Sequence, residues 1–136
     1  MSYGVSAALQ AAIYQRLVSD PVLMGLVGSA IYDNAPAGPI TGTYVSLGPE
    51  DVRDRSDKTG YGALHMVTIS VISDAAGFQT AKEVGAAVSD ALQGATLTLS
   101  RGALCYINFD RATARRVGTG ETRRIDLRFH ARVEDN

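Results

Sequence analysis

The residues of this chain that could carry chemistry are few, and their spacing matters more than their types. His65 and His130 are the only histidines and Cys105 is the only cysteine. His65 shares the parity of Val67, Ile69 and Val71, so it continues an apolar strand face and reads as a hydrogen-bonded histidine at its rim. His130 lies between Arg128 and Arg132 on a charged face. Cys105 falls within an apolar strand pattern and reads as a small core residue. One cysteine allows no internal disulfide and no thiolate cluster. Paired histidines with a carboxylate at metal-ligand spacing do not occur. Neither a Gly-x-Ser-x-Gly elbow nor a Gly-rich phosphate loop ending in Gly-Lys-Ser/Thr is present. The acids Glu50, Asp51, Asp54 and Asp57 alternate with Arg53, Arg55 and Lys58. Neighbouring bases keep such carboxylates ionised instead of raising a pKa for acid catalysis. No nucleophile, base and metal set converges, so the residues point away from an enzyme, and no cofactor is implied.

What remains is charge. Arg111, Arg115, Arg116, Arg123 and Arg124 cluster around a C-terminal hairpin, and arginine pairs well with phosphate. Asp110, Glu121 and Asp126 dilute that field, and Tyr106 and Phe109 precede the arginines instead of alternating with them as in a single-strand binder. Formal charge is −1 overall. Residues 1–100 hold five bases and nine acids (−4), and residues 101–136 eight bases and five acids (+3). Opposite charge at two ends suits head-to-tail stacking, although a solvated strand face would look the same.

The elements that position these groups follow from periodicity. Val5, Ala8, Leu9, Ala12, Ile13 and Leu17 form one stripe of a helix over about Ser6–Val18. Asp20-Pro21 is a cap and first-turn signal for a short helix through Val22, Leu23, Leu26 and Val27 that stops at Gly28. Asn34–Gly42 is a Pro/Gly loop. Thr43–Leu47 is a strand. Glu50–Gly60, almost wholly polar, cannot pack in a core and projects as a mobile loop or an extended hairpin. Leu64–Ser73 alternates as a long strand. Phe78, Ala81, Val84, Gly85, Val88, Ala91 and Leu92 return to helical spacing, ending near Gly94. Thr96–Leu99 reads as a short strand. Cys105, Ile107 and Phe109 share a strand face whose alternation fades from Arg111 to Arg116, and Gly118-Thr119-Gly120 makes the turn. In the last strand Ile125, Leu127, Phe129, Ala131 and Val133 oppose Arg124, Asp126, Arg128, His130 and Arg132.

With 136 residues and 46% hydrophobic content, one domain is expected over 1–136, with the charged segment at about 50–60 projecting from it. The fold class is α+β, an antiparallel β-sheet with two main helices packed on one face. The other face is either solvated or covered by another subunit. No apolar run approaches the ~20 residues of a membrane span, and Met1–Gly4 lacks the basic start of a signal peptide. Both favour a soluble protein made in a cytoplasm.

The order Ile31-Tyr32-Asp33-Asn34-Ala35-Pro36, then Tyr44-Val45-Ser46-Leu47-Gly48, then Arg53-Asp54-Arg55-Ser56-Asp57-Lys58-Thr59-Gly60, resembles the small tail-completion proteins of long-tailed phages and gene transfer agents. The resemblance runs from about Ala7 to Val133 and rests on the order and spacing of these landmarks. Relatives often carry an aromatic residue in the charged loop, where Arg55 and Ser56 stand here. The resemblance implies a virion assembly protein of the tail or neck, assembled in the bacterial host cytoplasm. It implies a homohexameric ring that ends tail-tube polymerisation. Its expected partners are further copies of itself, the tail tube protein and a head–tail connector or stopper protein, with DNA passing through the lumen without specific binding. Asp54, Arg55, Asp57, Lys58, Arg111, Arg115, Arg116, Arg124 and Arg128 are the expected subunit or tail contacts, because they concentrate charge on segments that cannot be core. Another neck or tube component, or a nucleic-acid-binding domain, are the alternatives.

Overall fold

A computed structural model describes residues 3–33, 40–56, 60–118 and 121–135. The elements in order are helices α1 (Ser6–Val18) and α2 (Pro21–Val27), strands β1 (Ile31–Tyr32), β2 (Thr43–Asp54) and β3 (Tyr61–Ser73), helix α3 (Gln79–Leu92), and strands β4 (Ala103–Val117) and β5 (Thr122–Asp135). The strands form one sheet in the order β1-β2-β3-β5-β4. All pairs are antiparallel except β1 with β2, which is parallel. The expected α+β class holds, and the sheet is mixed by virtue of that two-residue strand, too short to leave a periodic signal.

The helices form for the reasons their spacing states. Helix α1 buries Val5, Ala8, Leu9, Ile13 and Leu17, a stripe at three- and four-residue steps. In α2, Pro21 takes the first position and the Asp20 carboxylate accepts from the Leu23 amide at 3.0 Å. Helix α3 buries Ala81, Val84, Gly85, Ala87, Val88, Ala91 and Leu92, small residues that let it lie close on β3, β4 and β5. Phe78, just before it, has two cations over its ring, with Lys82 Nζ 5.8 Å and the Arg123 guanidinium carbon 5.9 Å from the ring centre. Helices α1 and α2 pack on α3, with α1 also reaching β1 and α2 reaching β2. All three helices therefore share one face of the sheet.

Beneath them the core is set by alternation. Val45 on β2, Val67, Ile69 and Val71 on β3, Ile107 on β4, and Ile125, Leu127, Phe129, Ala131 and Val133 on β5 face the helices and are buried. The Phe109 ring meets Phe129 edge-on at 5.9 Å. Gly102, before β4, has φ +72°, and a Cβ there would lie 2.5 Å from the Glu134 carbonyl oxygen. Only glycine suits both the dihedral and the approach.

Four expectations need correction. The segment Glu50–Gly60 is not a loop throughout: β2 continues to Asp54 and pairs with β3 down to Ala63, so the hairpin alternative holds. Thr96–Leu99 is no strand. It lies beside α1, with Leu97 and Leu99 half-buried against the core and no strand partner. Cys105 is exposed, because the register shifts between Leu104 and Tyr106 and leaves it as the extra residue of a bulge. His65 is fully buried rather than at a rim. The loop Asn34–Pro39 and the turn residues Thr119 and Gly120 lie outside the described residues.

Phe129 anchors this core from the middle of β5. Phe129→Ala should destabilise the fold by about 3–5 kcal/mol, read as a lower denaturant midpoint with an unchanged slope. A loss below about 1 kcal/mol would contradict its central place.

Candidate interaction surfaces

The sheet face turned from the helices carries the charge. Arg124, Arg128, His130 and Arg132 of β5 point there, as the alternation of the strand demands. On β4 a second register shift, between Phe109 and Arg111, makes Asp110 an extra residue. Past it, Arg111, Thr113 and Arg115 stand opposite Arg128, Asp126 and Arg124. Arg111, Arg115, Arg124 and Arg128 thus line one shallow cleft of about 400 Å³ with Pro49, Thr68, Thr113 and Asp126.

Asp126 organises this cleft. It accepts from the Ser70 hydroxyl (2.6 Å), Arg124 Nε (2.9 Å) and Arg115 Nη1 (3.1 Å). Partial burial alone would raise its pKa. Hydrogen bonds from Ser70 and Arg124, with the charges of Arg124 and Arg115, outweigh that and hold it below the usual carboxylate range. Arg128 donates to Asp110 at 3.0 Å. His130 Nε2 lies 3.3 Å from the same carboxylate without hydrogen-bond alignment. Arg111 has no carboxylate partner among the described residues. Four arginines against two aspartates leave the cleft positive.

Not every expected arginine joins it. Arg116 pairs in register with Arg123, two residues from Ile125, and so lies on the helix side of the sheet. The hairpin residues Asp54 and Arg55 sit at the other end of the sheet. There the Ser56 hydroxyl and amide donate to Asp54 at 2.6 and 3.2 Å, which lowers its pKa. The Arg55 carbonyl accepts from Arg132 at 2.9 Å. Asp57 and Lys58 lie outside the described residues. The charged residues therefore make two surfaces, one at each end of the sheet. Between Arg124 and Arg132 the separation is about 25 Å, at about 3.3 Å per residue.

Glu50 has a different set of partners from the one expected. The register of β2 shifts between Leu47 and Glu50, at Gly48-Pro49, where a proline is tolerated because the ladder is already broken. The shift turns Glu50 towards the helices. It accepts from the Ser6 hydroxyl at the start of α1, and its other oxygen lies 3.4 Å from His65 Nδ1. Arg53 instead approaches Asp51, at 3.7 Å. Burial raises the Glu50 pKa, and hydrogen bonds from Ser6, Tyr3 and His65 more than offset it, leaving it lowered from 4.5. Sequence reading missed this contact between α1 and the hairpin base, since only the bulge at Gly48-Pro49 could have signalled it.

Among the described residues no group of three or more histidine, cysteine or carboxylate side chains could hold a metal ion. No helix among the described residues is long and apolar enough to cross a membrane. An open sheet face with an arginine cleft at one end and a charged hairpin at the other offers surfaces for contact and no assembled reaction centre among the described residues. Residues 11–134 match the family of tail completion protein gp17, and the chain belongs to that family. It is a structural protein of a virion tail. Among solved structures it is similar to a chain of the virion of a native gene transfer agent particle. The two are 65% identical with a TM-score of 0.93, over 98% of this chain and 99% of that one. No curated protein matches it.

A folded-state carboxylate with a lowered pKa contributes stability that is present above its unfolded value and fades as pH falls through the folded value. For Glu50 that loss begins below about pH 4.5. Glu50→Gln should flatten the fall of unfolding free energy between pH 5 and pH 3 in denaturant titrations. An unchanged acid slope would remove Glu50 from the account.

Proposed function

We propose that the chain forms a closed homohexameric ring that caps the tail tube, ends its polymerisation, and joins the tail to a connector or stopper protein of the head. The particle is phage-like, of the gene-transfer-agent kind, in line with the 65% identical virion chain. The observation that carries this reading is the separation of two unlike surfaces to opposite ends of one sheet. A ring closes through a heterologous contact, in which one patch meets a different patch on the next copy. The arginine cleft of Arg111, Arg115, Arg124 and Arg128 and the hairpin carrying Asp54 and Arg55 are two such patches, and in this proposal the second takes in Asp57 and Lys58, which follow in sequence. Arg116 adds charge on the helix side of the same strand.

Nothing in this reading calls for chemistry. The carboxylates nearest the arginines are spent in ion pairs, and a half-neutralised cleft suits a protein surface better than a run of phosphates. DNA in the lumen needs only clearance.

Sedimentation of the purified chain should give one discrete hexameric species that weakens as salt rises, since its joints are charged. Added tube protein should then stop elongating. An open-ended polymer would assign the chain to the tube instead, and a monomer that shifts only with DNA would make it a nucleic-acid-binding domain. Either outcome ends the proposal.

A further inference from the structure

Strand β4 is the last of the sheet, and only part of its outer edge is occupied. The carbonyl of Ile107 accepts from the Gly94 amide at 2.8 Å, and the Phe109 amide donates to the Gln93 side chain at 2.7 Å. The residues that follow α3 thus cap the middle of the edge. From Arg111 to Val117 nothing pairs with it among the described residues. The helix side of this free stretch is an apolar groove, where Ala112 and Ala114 face Gly85, Ala86 and Ser89 of α3. On the open side stand Arg111, Thr113 and Arg115.

The other edge of the sheet is also half free. β1 covers β2 only at Val45 and Ser46, so among the described residues the outer edge from Pro49 to Asp54 has no strand beside it. Here Val52 faces the helix side, opposite His65, and Asp51 and Arg53 face the open side.

We propose that these two half-edges pair in the assembled protein, the free stretch of β4 from one copy lying antiparallel against residues 49–54 of β2 in the next. The pairing deepens the ring reading above and rests on it. Strand addition to a bare edge satisfies the backbone, and alternate side chains then fix the register. The polarity is right. β4 runs antiparallel to β5, β5 to β3 and β3 to β2, so a sheet continued across copies with its helices on one side sets β4 antiparallel to β2.

Side chains select one register. Val52 opposite Ala114 brings Glu50 to Arg116, Asp51 to Arg115 and Arg53 to Thr113, with no like charges facing within residues 49–54; the one like pair, Arg55 with Arg111, falls just past the end of β2. A slip of two residues sets Arg53 against Arg111, and like charges directly opposite destabilise a ladder. In the favoured register Val117, the last residue of β4, falls opposite Pro49, short of the place β1 occupies. Capped Phe109 falls beyond Asp54, where β2 ends. The two free stretches overlap from Val117 with Pro49 to Ala112 with Asp54 and exclude the blocked ones.

The register also sets a stagger. Within one chain Val52 lies level with Ile107, through His65 and Ala131. Pairing with Ala114 therefore offsets successive copies by about 20 Å along the strands, an offset that a closed sheet absorbs by tilting its strands.

The test is a disulfide across the joint. In a Cys105→Ser background, Arg53→Cys and Thr113→Cys are combined in one chain and oxidised after assembly. Within a chain these positions are separated by β3 and β5, about 14 Å across the sheet and about 20 Å more along the strands, beyond the ~7 Å a disulfide spans. The expected result is a ladder of covalent oligomers up to the size of the native assembly, absent from either single variant. In parallel, Arg115→Glu should weaken self-association at least about tenfold, and Asp51→Arg should restore it. An assembly that stays intact, yields no ladder and ignores Arg115→Glu overturns the pairing while leaving the ring standing. Loss of tail attachment in Arg115→Glu with self-association intact also overturns it, by giving the edge to another protein. A chain that never self-associates overturns both.

Discussion

Strands β3 and β5 pair without a break from Tyr61 and Asp135 to Ser73 and Arg123, and the rest of the molecule is built on that ladder. Because side chains alternate strictly, an unbroken register sorts residues into two sheets of contacts. Every second residue of β5 from Ile125 to Val133 goes under the helices, and the residues between them go to the other face. A slip of one position would bury Arg124, Asp126, Arg128 and Arg132 and expose the core set. Unpaired buried charge costs several kcal/mol per group, so the register is held by what it keeps out as much as by what it keeps in. The polar face also protects its own floor. Met66 and Ile72 of β3 lie on it opposite His130 and Arg124 and are nearly buried, because long charged side chains lay their apolar stems across a sheet.

The flanking strands depart from this regularity, and their departures build the surfaces. The shift at Gly48-Pro49 turns Glu50 onto the helix side, where it ties the start of α1 to the base of the β2–β3 hairpin through Ser6 and His65. A second tie runs nearby, where Arg101 holds Asp135 through paired contacts of 3.0 and 2.7 Å. On β4 the extra residue Asp110 sets the phase in which Arg111 and Arg115 reach the open face, and it supplies the carboxylate for Arg128. A bulge is therefore what gathers four arginines into one cleft.

Where periodicity was unbroken, sequence alone placed residues well. The span of α1, the Asp20-Pro21 start of α2 and both faces of β5 stand as the spacing predicts. Bulges defeated the same logic, because one extra residue inverts parity without leaving a mark on composition. Parity along β4 places Cys105 in the core for that reason; Arg116 is a different case, since clustering by sequence ignores that it and Arg115 are neighbours and take opposite faces. Length was a separate difficulty. β1 is too short to show a period, and the polar half of β2 looks like a loop because its partner β3, and not its own side chains, makes it a strand. Burial depth is non-local as well: the parity of His65 was legible, but its complete enclosure depends on α1 and Glu50, far away in the chain. The arginine cleft was half legible, as a cluster without its split.

A bare strand edge is a liability that folded proteins cover, shorten or charge. Here the cover is partial and the charge selective. Gln93 and Gly94 close the centre of the β4 edge, whereas the remainder is left open with Arg111, Arg115 and Arg116 along it. Two copies meeting through this edge alone would do so about a two-fold axis and set these arginines near one another, which like-charge repulsion disfavours. The β2 edge carries Glu50, Asp51 and Asp54 with Arg53 among them, and it avoids that penalty in the register that sets Arg53 against Thr113. The charge pattern thus discriminates between the two ways a sheet can grow. It disfavours the symmetric contact that ends at a dimer and favours the asymmetric one, which is the contact the proposed ring requires.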